Sequence, residues 1–232
     1  CDMKSNYFVN FMKDMKYKLL ACNMKTSPES QIANHIEKSY IEEHNGHKYG
    51  IIGVLPTDLI SRVKYGKVFQ DQHLNPASID ETIVDIQQEV DKLKKQGVNK
   101  IILLSHSGYG YDIKIAKETE GVDVILGGHS HNLINGVKQG ENLFESKSGE
   151  PVVITQAGRD GKNFGILNLE CDKNGVIKKV QNNFGTTRIF SRNLVARNFF
   201  EQILGKPKVV GIINSAPAPL KNDLIAVSPL AY

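Results

Sequence analysis

The stretch "KIILLSHSGYGYDIKIAKETEGVDVILGGHSH", Lys100 to His131, decides the fold. "KIILLSH" is a continuous apolar run of the kind buried on both faces of a sheet. A short helical segment, Tyr111 to Glu118, follows, and "VDVILGGH" is a second such run. Strand, helix, strand in that order is a βαβ unit, which predicts two parallel strands. Their carboxyl ends then emerge on one edge, where open α/β sheets hold their ligands. His106 and His129 stand just past those ends, so they converge although distant in sequence. Gly127 and Gly128 permit a sharp turn, because glycine takes positive φ without a steric penalty. His131, two residues further on, is read as facing a different side of the turn from His129, toward a second ion. Imidazole suits divalent transition metals, usually with carboxylates completing the set. The rival reading is loop histidines that bind nothing, and spacing alone leaves both open.

Working outward, the signals are those of an α/β domain. Ser78 and Glu81 form a capping box ahead of the stripe Ile79, Ile83, Ile86, Val90 and Leu93, and Gly97 marks the stop. Asn45-Gly46 between "SYIEE" and "HKYGIIGVLP" predicts a β-hairpin. Nearer the start, Tyr7, Phe8, Phe11, Met12 and Met15 keep helical spacing, and "YKLLACN" reads as a buried strand. Downstream, "PVVITQAG", "FGILNLECD" and "GVIKKVQNNF" read as a strand meander, with a turn over Asp172 to Gly175. "NLVARNFFEQIL" reads as a helix, and "KVVGIINSAPAPL" as a strand entering a proline-rich connector.

Composition narrows the class. The 232 residues are 40% hydrophobic and 23% charged, enough for one sizeable core. Basic and acidic residues interleave and the net charge is only +4, without the concentrated basic stripe of a nucleic-acid polymer binder. No apolar run approaches the roughly 20 residues that span a bilayer. Cys1, Cys22 and Cys171 are too few and scattered for a disulfide framework or zinc ribbon. A Cys1 start and the apolar end "LIAVSPLAY" read as two cuts; a lipidated start would place a loose tether where a helix begins by about Ser5. His35, His44, His47 and His73 read as surface residues. Asp123 reads as a structural residue at a strand start, and Arg159 and Asp160 as an exposed turn. Tyr109 and Tyr111 either wall the histidine pocket or simply pack.

"SHSG" followed by "GVDVILGGHSH", with "DKLKKQGVNKII" before them, resembles the 5'-nucleotidase family of metallophosphoesterases. That family includes the animal ecto-5'-nucleotidases and the bacterial periplasmic UDP-sugar hydrolases. The resemblance runs from about Asp2 to about Phe184 and includes "PVVITQAGRDGKNFGILNLECD". It implies the later part of a four-layer α/β/β/α sandwich over residues 1–187. Residues 188–232 would then be a helix and connector toward a C-terminal domain. It implies two divalent cations, zinc, manganese or similar, with His106 and His129 on one and His131 on the other. The interval from Asp2 to Asn23, with "ACN" at its end, matches Asp2 to the acid of a catalytic His-Asp dyad. The family's Asp-x-His, bridging Asp, metal-binding Asn and dyad His all precede that Asp, so the expectation for this chain alone is weak metal binding and little hydrolysis. Gln156, Ala157 and Gly158 match a family segment lining the site region, supporting the site from behind at most.

The implied activity is hydrolysis of nucleotide phosphomonoesters, a small-molecule reaction. UDP-sugar or cyclic-nucleotide hydrolysis is the first rival, and a catalytically dead binding or surface protein the second. The resemblance also implies an extracellular, periplasmic or cell-surface location, with membrane attachment only through an anchor outside this sequence.

Overall fold

The computed structural model describes residues 5–14, 17–62, 67–186 and 223–226. Asp2, the helix expected after residue 187 and the strand expected at "KVVGIIN" lie outside the described residues. In chain order the elements are α1 (Ser5–Asp14), β1 (Leu19–Leu20), β2 (Met24–Thr26), β3 (Ile36–Glu37), β4 (Ser39–His44) and β5 (His47–Val54). Next come α2 (Leu59–Arg62), α3 (Lys67–Asp71), β6 (Leu74–Pro76), α4 (Ile79–Lys95), β7 (Ile101–Ser105), α5 (Tyr109–Glu118) and β8 (Val124–Leu126). The chain continues through β9 (Leu143–Glu145), β10 (Pro151–Thr155), β11 (Asn163–Cys171), β12 (Ile177–Thr186) and β13 (Asp223–Ala226).

The centre is a six-stranded sheet in the order β4-β5-β7-β8-β10-β9. β5, β7, β8 and β10 run parallel to one another, while β4 and β9 close the two sides antiparallel. The predicted parallel pairing of β7 with β8 is present, with Leu103 opposite Ile125. The registers bring Val54 level with Ser105, and Leu126 level with both Leu104 and Thr155. All four parallel strands therefore stop at one edge.

Local chemistry explains the elements. Ser78 and Glu81 make the expected reciprocal cap on α4, and Asp80 and Glu81 complement the positive end of its dipole. At the other end Val98 N–H reaches Leu93 O and Gly97 N–H reaches Lys94 O, a Schellman stop that needs the positive φ of Gly97. The β4–β5 hairpin turns at Asn45 and Gly46, both at positive φ.

One face of the sheet packs on α4 and α5 through Ile52, Leu103, Ile125 and Ile154, against Ile86, Val90, Leu93 and Ile115. The other face, through Ile102, Val124 and Val153, meets Leu167, Leu169 and Ile177 of a second sheet, ordered β12-β11-β13. Helices, sheet and second sheet stack as the α/β class requires. Burying each such aliphatic side chain contributes about 1.5–3 kcal/mol before entropy is counted. Among the described residues no helix is long and apolar enough to cross a membrane.

Two expectations need correction. The meander does not hold: β10 belongs to the central sheet, while β11 pairs with β12 and β13. Val152, Val153 and Ile154 are fully buried, so β10 is a two-faced core strand and not an outer one. "YKLLACN" supplies only the two strand residues Leu19 and Leu20; Ala21, Cys22 and Asn23 are buried in the turn beyond. The helix expected near the start is α1, in which, among the described side chains, Val9 and Met12 are buried while Tyr7 and Phe11 face outward.

Candidate functional site

Residues following the four parallel strands gather at the carboxyl edge. His106 comes directly after β7, and its backbone N–H bonds Val54 O at 2.9 Å, so the sheet ladder extends into it. His129 lies in the loop after β8, and the two imidazoles meet edge to face with ring centroids 5.4 Å apart and planes at 72°. Asp58, in the loop after β5, brings its Oδ1 to 3.8 Å from His129 Nε2. Gln156, directly after β10, is almost wholly buried beneath the same loop. His106 and His129 are half-buried and His131 is exposed.

The loop after β8 is unusual in its backbone. His129 and His131 both occupy the left-handed region, at φ 69° and 59°. Non-glycine residues adopt it only at a cost, offset here by surrounding bonds. The two glycines before them are required instead by close approach, since neither has positive φ. A Cβ on Gly128 would lie 3.0 Å from His106 Nδ1. A Cβ on Gly127 would lie 2.6 Å from Asp112 Oδ2 and 3.1 Å from Gln156 Nε2. The loop also caps α5, where Gly108 offers no side chain: Ser130 Oγ accepts the Tyr109 N–H at 3.0 Å.

Electrostatics favour neutral imidazole at His106. Burial, and then the adjacent His129 and His131, hold it below the ordinary histidine range. Neutral imidazole is the form that binds a metal. Partial burial opposes ionisation of Asp58, but the Arg62 guanidinium and His129 outweigh it and keep the carboxyl below its usual range. Beneath the loop, burial pushes the Asp112 carboxyl up to about 7, against a hydrogen bond from Ser105 Oγ to its Oδ1. Its Oδ2 is buried without a hydrogen-bond partner.

The donor chemistry suits a divalent ion, but the donor number does not. Among the described residues no three His, Cys, Asp or Glu side chains converge closely enough to hold a metal. The described residues by themselves therefore do not complete a metal site. The Asp-x-His triplet present, Asp71–Gln72–His73, takes no part: His73 Nε2 pairs with Glu29 at 3.2 Å, and Gln72 Oε1 accepts the Gln31 N–H.

Asp123 is structural, accepting the Ile101 N–H at 2.7 Å from Oδ2, and burial pushes its carboxyl up to about 7. Arg159 and Asp160 form an exposed ion pair. Tyr109 packs with its hydroxyl donating to Glu141 O. Cys22 and Cys171 are free thiols. Asp58 carried no signal in the sequence, since only the strand register of β5 against β7 brings it near His129. Asp112, on a helix of mixed polarity, likewise carried no signal of its burial.

No protein-family model matches the chain. It is 30% identical over 185 residues to the 5'-nucleotidase of Diplobatis ommata, covering 74% of this chain and 30% of that protein. It is 33% identical over 179 residues to the 5'-nucleotidase of Homo sapiens, covering 71% of this chain and 29% of that protein. Its fold is similar to the crystal structure of a 5'-nucleotidase precursor from Thermus thermophilus, with TM-score 0.68 and 26% identity over 87% of this chain and 41% of the other. The chain thus spans about 30% of the length of the curated relatives it matches. Sequence and fold agree with the histidines gathered at the sheet edge: the chain belongs to the 5'-nucleotidase family of metallophosphoesterases.

Proposed function

We propose that this chain carries part of a metal-dependent hydrolase that removes phosphate from nucleotides. The observation that carries the reading is the edge-to-face pair His106–His129 at the carboxyl edge of four parallel strands. On this reading His106 and His129 serve one divalent cation, zinc, manganese or similar, and His131 a second. Asp2 is the acid of the dyad, and the remaining ligands come from outside the described residues. Residues 1–187 form part of the metallophosphoesterase domain, and residues 188–232 lead toward a C-terminal domain. The described residues hold the His106 imidazole neutral and set the strand ends before His106 and His129 in register. A nucleotide is the partner, and an exported or surface-attached location follows from the family.

Two measurements test this. Isothermal titration of the chain with manganese or zinc should show weak binding that His129→Ala removes; tight binding of two ions would contradict the incomplete set. In the longer protein, supplied with the same metals, phosphate should be released from a nucleoside 5'-monophosphate. There His129→Ala should cost more than the roughly 10–100-fold that loss of a ligand's supporting hydrogen bond costs. Undiminished release in that variant would overturn the assignment.

A further inference from the structure

The histidine loop is held from behind by one side chain. Gln156 Nε2 donates to Gly128 O at 2.9 Å, and its Oε1 accepts the Asn132 N–H. These are the peptide groups immediately before His129 and immediately after His131. A single planar carboxamide thus supplies one donor and one acceptor across the loop, as a neighbouring strand's peptide would. It is rigid because Gln156 is only 2% exposed, and its own backbone is tied in as Gln156 O accepts the Ile134 N–H at 2.9 Å. Ser130 Oγ lies 3.3 Å from Nε2 and 3.4 Å from Oε1 and passes the restraint to the start of α5. Between the two anchors sit His129 and His131, both left-handed.

We propose that Gln156 is a positioning residue whose carboxamide fixes the left-handed backbone of His129 and His131 and so aims both imidazoles. Its value to catalysis rests on the phosphoesterase reading above; its effect on the loop does not. The two can therefore fail separately. Glutamine is specific to the task. Glutamate keeps an acceptor for Asn132 but loses the donor to Gly128, and methionine keeps the volume but loses both.

The test is nuclear magnetic resonance on the 232-residue chain. Positive φ gives a strong amide–Hα cross-peak within a residue, a signature indifferent to added charge. Gln156→Met should weaken that cross-peak at both His129 and His131. It should also speed Asn132 amide exchange about 10-fold, the worth of one hydrogen bond. Gln156→Glu should weaken it at His129 while leaving His131 and the Asn132 amide near their original state. His35 and His73, remote from the loop, should not change in either variant. Unchanged cross-peaks in Gln156→Met, equal losses in the two variants, or changes that spread to His35 and His73 would each overturn the proposal. Should Gln156→Met not fold, Gln156→Glu decides alone: loss at His129 with a protected Asn132 amide supports it, and any other pattern sinks it.

Discussion

His106 and His129 face each other across 5.4 Å, yet they are held by different means. His106 continues a core strand: its N–H bonds to Val54, and Ser105 just before it is buried. His129 stands in a left-handed loop whose shape comes from side chains and tight glycine contacts. The first imidazole inherits its position from the sheet ladder. The second depends on a few directed bonds. Half of the site should thus be as stable as the core, and half should respond to single local changes.

The strongest way to break this contrast is to disturb the sheet side. Gly53 of β5 passes so near β1 that a Cβ would lie 2.2 Å from Leu20 O, and backbone cannot yield as a flexible side chain can. Gly53→Ala should lower stability by about 3 kcal/mol in urea unfolding, since overpacking forces strands apart. The resonances of His106 should move with it, and those of His131 should stay.

Asp112 lies under both halves, bonded to Ser105 before His106 and packed against Gly127 before His129. Its carboxyl is pushed up to about 7 from the ordinary 3.8. The folded chain therefore keeps a proton that the unfolded chain has lost. The resulting stability is fully present below the ordinary carboxyl pKa and is lost as pH rises through about 7. Asp112→Asn stays neutral throughout, so its urea midpoint should fall less than the wild type's across that window. Asp123 contributes the same sign in both proteins, and His106, held low, contributes the opposite sign. Parallel curves would show that Asp112 is not what makes the shared floor sensitive to pH.

The smallest effect should come from the loop's outer end. His131 is exposed and left-handed, so His131→Gly removes strain without opening a cavity. Thermal unfolding should show no loss and a gain of up to about 1 kcal/mol. A clear loss would mean that the imidazole itself holds the loop.

The sequence showed the sheet-held half more readily than the loop-held half, for a physical reason. β7, β8, the α4 cap and the Asn45-Gly46 hairpin are written in near-neighbour residues, as periodicity, caps and turn chemistry always are. The meeting of His106 with His129 followed from one βαβ rule. Asp58 and Gln156 are different: each reaches the edge through the register of a strand far away in the chain, and Gln156 was named only through the family resemblance; Asp112 follows β7 closely, but its burial carried no local signal. β10 was misplaced for the same reason, since a parallel strand announces burial but not its partner.

One consequence follows from four strands ending together. The edge exists only once Val54, Ser105, Leu126 and Thr155 stand within one residue of a common level, so none of its parts can be assembled early from local contacts. Such long-range pairing is slow to close. The growing polypeptide would carry every imidazole well before it owned a pocket, and a break anywhere between β5 and β10 would leave the ingredients present but scattered.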